Sequence, residues 1–134
     1  SQGSASNVVV SLPADNTFLP ISFTVPANGT YELDLTAYID ALECKPPNTI
    51  LNKGLYITAT TPISCYYEVV SNYVSDIFTL KGKNALGTSF YIPSQTYWRN
   101  AQRYPNSFSS FDLVATENNT KVTITPKKDI MGYT

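Results

Sequence analysis

A chain of 134 residues and 14.8 kDa, 43% hydrophobic, carries enough apolar material for one core and too little for two comfortable ones. Nine basic and ten acidic side chains leave a net charge of -1, which argues against nucleic acid and anionic lipid surfaces as partners. No window reaches the roughly 18 apolar residues of a membrane span, so no membrane insertion is expected.

The opening residues SQGSAS, 1–6, read as a linker or cloning remnant, and 7–134 as a single domain. From there on, period-two alternation dominates, the pattern of half-buried strands. NVVVSLP is the first strand. In FLPISFTV, Leu19, Ile21, Phe23 and Val25 share one face, Asn28-Gly29 supplies a turn, and Tyr31, Leu33 and Leu35 return as the second arm of a hairpin. DLTAYIDALE interrupts the pattern: Leu35, Ile39 and Leu42 recur at helical spacing until Pro46-Pro47 forbid continuation, which predicts one short helical turn. Leu55, Ile57 and Ala59, then Ile63, Cys65, Tyr67 and Val69, form a second hairpin turning near Thr61-Pro62. DIFTL and SFYIP flank a glycine turn as a third pair. SSFDLVATENNTKVTITP makes a fourth, turning at Glu117-Asn118-Asn119. The expected fold is all-β, an antiparallel β-sandwich of about nine strands with one short helical turn.

GKNALGTS, residues 82–89, comes within one residue of a phosphate-binding loop, with Thr88 where the lysine belongs. Such a loop needs a helix to follow, and SFYIP is aromatic, β-branched and ended by proline. Gly82 and Gly87 therefore read as bending a turn between strands, with Lys81 and Lys83 solvated and no nucleotide bound.

The chain has no histidine, which removes Ser-His-Asp and Cys-His catalysis and every zinc site built with histidine. Glu68, Asp76 and Asp112 offer the only prospect of a catalytic carboxylate pair, and solvated strand acids are the plainer reading. Asp15, Asn16 and Asp40 lack the spacing of a calcium loop, so no metal and no cofactor are expected. The two cysteines, Cys44 and Cys65, are two buried thiols in a cytosolic protein and a disulfide in a secreted one; with only 14% charged residues and a surface rich in Thr, Ser, Asn and Tyr, typical of extracellular β proteins, the bridge is expected.

The segments NKGLYITATTPISCYYEV, DIFTLKGKNALGTSFYIPSQ and FSSFDLVATENNTKVTITP resemble the IgGFc-binding protein amino-terminal domain family. The resemblance runs from about Asn48 to Gly132 and is closest to bacterial members in large secreted proteins, many ending in a gliding-motility-associated sorting domain. It implies an extracellular, β-rich, non-catalytic module of a bacterial surface protein, used in adhesion or in mucus-like matrices, and offers no catalytic residues. The expected partner is an extracellular protein or a glycan. A ligand site is expected in the loop 95–104, where Tyr97, Trp98, Arg99, Arg103 and Tyr104 combine flat contact area with polar ends. The same aromatics would serve a carbohydrate-binding module, while inward packing of Trp98 would make it core instead.

Overall fold

A computed structural model describes residues 1, 3–70, 75–93 and 109–127. Five strands are present among them: β1 (Ser6–Ser11), β2 (Ile21–Val25), β3 (Tyr56–Ala59), β4 (Cys65–Val70) and β5 (Ser75–Leu80). They form two antiparallel sheets, one ordered β2-β1-β3 and one of β4 with β5. A 3-10 turn at Thr36–Tyr38 runs into the single-turn helix α1 (Ile39–Leu42), and a second 3-10 turn covers Gly82–Ala85. The chain divides into two compact units, Ser1–Asn84 with Gly132–Thr134, and Ala85–Met131.

The first sheet is organised around β1, which alternates as the valines of SNVVVS require. Val8 and Val10 point inward with Val25, and Phe23, Leu33, Leu55, Ile57 and Ile63 pack around them. On the other side of the strand, Asn7 is bonded in two directions. Its backbone carbonyl accepts from Thr60 N (3.0 Å), its N–H donates to Thr60 Oγ1 (2.9 Å), and its side-chain oxygen accepts from Thr24 Oγ1 (2.8 Å). Asn7 and Thr24 are cross-strand partners, so this bond reinforces the register. The fully buried Ser6 hydroxyl donates to Thr61 O (3.0 Å) and accepts from Thr61 N (3.1 Å), satisfying both backbone groups of one residue.

Ser1, Gly3 and Ser6 are tied to the first sheet and its turn. Ser6 starts β1, Ser1 Oγ donates to Pro26 O (2.8 Å), and Gly3 N donates to Asn28 Oδ1 (3.0 Å).

Several expected strands are corrected. The turn at 26–29 forms, with Gly29 N on Pro26 O (3.0 Å) and Asn28 at φ 54°. Its centre is thus Ala27-Asn28 and not Asn28-Gly29, and Ala27 keeps a negative φ, so the turn lacks the paired left-handed residues that keep two strands in ladder. Residues 30–35 accordingly form no strand. They still bury Leu33 and stack Tyr31 on Phe23, ring centroids 4.2 Å apart, while β2 pairs with β1. The second expected hairpin also separates. Ser6 and Asn7 hold Thr60 and Thr61 against β1, Pro62 has no N–H for a ladder, and β4 opens in the other sheet. β5 is the strand expected at DIFTL, but its partner is β4 and 89–93 are not a strand. In 109–127 the turn survives, with Asn119 at φ 59° and Thr120 Oγ1 on Glu117 O (2.7 Å), and its flanks form no ladder. A sandwich core is not seen among the described residues: the buried cluster includes no residue of β4 or β5.

The short helical turn falls where the spacing places it. Asp34 Oδ1 accepts from Thr36 N (2.8 Å) at its start, and Lys53 Nζ donates to Asp40 O (2.8 Å) and Glu43 O (2.7 Å) at its end. A cation on the last carbonyls suits both their lone pairs and the negative end of the helical turn.

Removing the Ser6 hydroxyl strands Thr61 N and O at a partly buried position. Ser6→Ala is expected to cost about 1–3 kcal/mol in chemical denaturation, whereas Ser11→Ala, whose exposed hydroxyl makes only a long bond to Tyr56 O, stays within about 0.5 kcal/mol of the parent.

Candidate interaction surface

The β4-β5 ribbon carries seven exposed large apolar side chains on two paired strands. Its register pairs Cys65 with Leu80, Tyr67 with Phe78 and Val69 with Asp76, and these six residues share one face because side chains alternate along a strand. Tyr66, Glu68, Val70, Ser75, Ile77 and Thr79 form the other face. On the first face Tyr67, Val69, Phe78 and Leu80 are between 42% and 49% exposed, against 60% to 72% for Tyr66, Val70 and Ile77 on the second. The first face is thus nearly continuous in apolar and aromatic groups, with one charge at its end. Contiguous exposed apolar surface of this kind marks places where macromolecules meet.

The same register decides the carboxylate question for two of the three candidates. Glu68 and Asp76 lie on opposite faces of the ribbon and cannot flank one bond. Asp76 Oδ1 instead accepts from Ile77 N (2.8 Å).

Among the described residues no group of three or more acidic or cysteine side chains is placed to hold a metal ion. Asp15 turns Oδ1 to Thr17, accepting from its N–H (2.9 Å) and hydroxyl (2.7 Å), and these bonds hold its carboxyl below the usual carboxylate range. Asp34 is lowered in the same way by Thr36.

In place of the expected bridge, Cys44 and Cys65 are not bonded to each other. Cys44 is exposed in the segment after α1, while Cys65 opens β4, half-buried, with its Sγ 3.9 Å from Tyr66 O. Pairing of β4 with β5 directs Cys65 to the ribbon face, and burial there pushes its thiol pKa up.

The glycine loop is a short turn. Gly82 takes φ 56°, Asn84 N donates to Lys81 O (3.3 Å), and the turn ends at Ala85 with no helix in 86–93. A Cβ on Gly87 would come within 3.2 Å of the exposed Phe90 ring, a close approach that the ring would have to yield to. The N–H groups have no helix dipole behind them.

Tyr97, Trp98, Arg99, Arg103 and Tyr104, the expected ligand loop, lie outside the described residues. The ribbon face went unread in the sequence because its two strands were each assigned to other partners. The alternation of Cys65, Tyr67 and Val69 with that of Asp76, Phe78 and Leu80 was the available signal.

These features define an antiparallel, β-rich chain with an exposed apolar ribbon, and no helix among its described residues is long and apolar enough to cross a membrane. Residues 76–134, from the second residue of β5 onward, match the family described as IgGFc binding protein, so this part of the chain is IgGFc-binding-like. The resemblance of the earlier segment from Asn48 lies ahead of that match. No curated protein and no solved structure matches the chain.

Two measurements test this geometry. In the native protein a maleimide should label exposed Cys44 before Cys65, whose labelling should require higher pH because burial disfavours its thiolate; absence of any thiol in the unfolded, unreduced protein would restore the bridge. Calorimetry with ATP and magnesium should show only heat of dilution, and micromolar binding would overturn the reading of 82–89 as a plain turn.

Proposed function

We propose that this chain is a non-catalytic, extracellular interaction module of a large bacterial surface protein, binding another macromolecule in adhesion or in a mucus-like matrix. The observation that carries this reading is the IgGFc-binding match over residues 76–134, a family whose description names a protein partner. The chemistry of the chain supports it: without histidine the commonest nucleophilic and zinc-dependent mechanisms have no base or ligand set. So does the ribbon face, since aromatic and β-branched groups left in water are what protein contacts cover.

A carbohydrate-binding role is the second reading, favoured by Tyr97, Trp98 and Tyr104 in a polar segment with Arg99 and Arg103. A flat ring beside fixed donors is what sugar recognition requires.

Biolayer interferometry on immobilised mucin, intact and enzymatically deglycosylated, separates the two. A module for protein partners binds both surfaces, and Trp98→Ala leaves that binding in place. A sugar-binding module loses affinity on deglycosylation and again with Trp98→Ala, with stability unchanged; if the ring is core, the same substitution costs about 3–5 kcal/mol of stability. No binding to either surface overturns the proposal.

A further inference from the structure

In the first unit, the loop after β1 and the helical segment meet at a cleft of about 280 Å³ lined by Asp15, Thr17, Phe18, Leu19, Tyr38 and Ala41. Local bonds hold its walls. Asp15 N donates to Leu12 O (3.0 Å), Phe18 N donates to Asp15 O (3.3 Å), and the Phe18 ring is buried edge-on against Tyr38 with centroids 5.3 Å apart. The contact between the two rings ties the loop to the helical turn.

The cleft is chemically lopsided. Phe18, Leu19, Ala41 and Tyr38 are its apolar lining, Leu19 and Tyr38 being exposed, and its one ionisable group with a full charge at neutral pH is Asp15. The two Thr17 bonds fall on Oδ1 and, with the Phe18 backbone N–H beside it, hold the carboxyl in its charged form. No lysine or arginine lines the cleft, and no ion pair forms to Asp15 among the described residues. A carboxylate held by Thr17 in a lining shared with apolar side chains and a phenol ring suits a group that is itself apolar along its stem and cationic at its tip. The volume suits one long side chain and is at the lower limit for a whole small molecule.

We infer that this cleft binds a lysine or arginine side chain of a protein partner, its cation on the Asp15 carboxylate and the Tyr38 ring and its methylene stem on Leu19 and Ala41. The pairing combines a charge-assisted hydrogen bond with attraction of the cation to the ring. This rests on the reading of the chain as an interaction module and names the chemistry of the partner it takes. Lines of argument for a sugar are weaker here, because the cleft presents one acceptor and no array of donors.

The test is amide NMR on the full chain, titrated with N-acetyl-lysine methylamide and, as the uncharged control, N-acetyl-norleucine methylamide. The lysine probe should give saturable shifts at Thr17, Phe18 and Ala41, with the norleucine probe roughly fivefold weaker, the size of one exposed cation contact. Asp15→Asn keeps the Oδ1 acceptor for Thr17, so the loop holds, and it should reduce the lysine probe to the norleucine level. Equal binding of both probes, undiminished lysine binding to Asp15→Asn with an otherwise unchanged spectrum, or no shifts at all would each overturn the inference. Any of these results together with retained mucin binding removes the cleft and leaves the module reading in place, so the two failures are distinguishable.

Discussion

β1 is hydrogen-bonded on both edges, and this double pairing is the constraint on which the rest of the first unit depends. β2 lies on one side in register from Ser6 with Val25 to Val10 with Ile21, and β3 on the other from Val8 with Ala59 to Ser11 with Tyr56. A central strand of this kind has one face to bury and no free backbone groups, which favours β-branched residues over the full length of the strand. Ser6 and Asn7 set where the register begins, because the Ser6 side chain bonds Thr61 on the buried side while the Asn7 side chain bonds Thr24 and its backbone bonds Thr60 on the exposed side. A slip of one residue would turn Val8 and Val10 to water and break these bonds together.

That arrangement governs what the neighbouring segments can do. Once β2 and β3 are taken by β1, residues 30–35 and 60–64 must satisfy their turns without an adjacent ladder. They do so through stacking of Tyr31 on Phe23 and through the Ser6-Thr61 pair. β4 then pairs with β5 and forms a ribbon whose apolar face is left half in water. An isolated two-stranded ribbon is marginal in water unless something covers it, so this face links the fold to the interaction role. The family match begins within this ribbon, at the second residue of β5.

The legibility of the chain differs by element for physical reasons. β1, β2, β3, β4 and β5 all lie in stretches whose alternation announces them, and the helical turn at 36–42 follows from Leu35, Ile39 and Leu42 before Pro46. Turns at 26–29 and 117–120 are equally local, since Asn28 and Asn119 can adopt left-handed backbone at small cost. Pairing was not legible, because alternation says which face a strand buries and is silent on which strand lies beside it. The hairpins expected from adjacency at 21–35 and 55–69 failed on that point. The ligand loop with Trp98 was read from residue types alone, and the Asp15 cleft was not read at all. Asp15 and Tyr38 are 23 positions apart, and only the buried contact of Phe18 with Tyr38 brings their segments together.

By itself, then, the sequence determined the β-rich character, the turn positions, the absence of histidine chemistry and the family resemblance that the match over 76–134 bears out. Each of these depends on side-chain type and on neighbours within a few positions. Only the tertiary structure decided that β1 is central, that β4 and β5 are partners, that Glu68 and Asp76 face apart, and that Cys44 and Cys65 are not joined. Those outcomes depend on which distant segment wins the competition for a strand edge, and that competition is settled by backbone hydrogen bonds and buried methyl groups contributed from many positions at once.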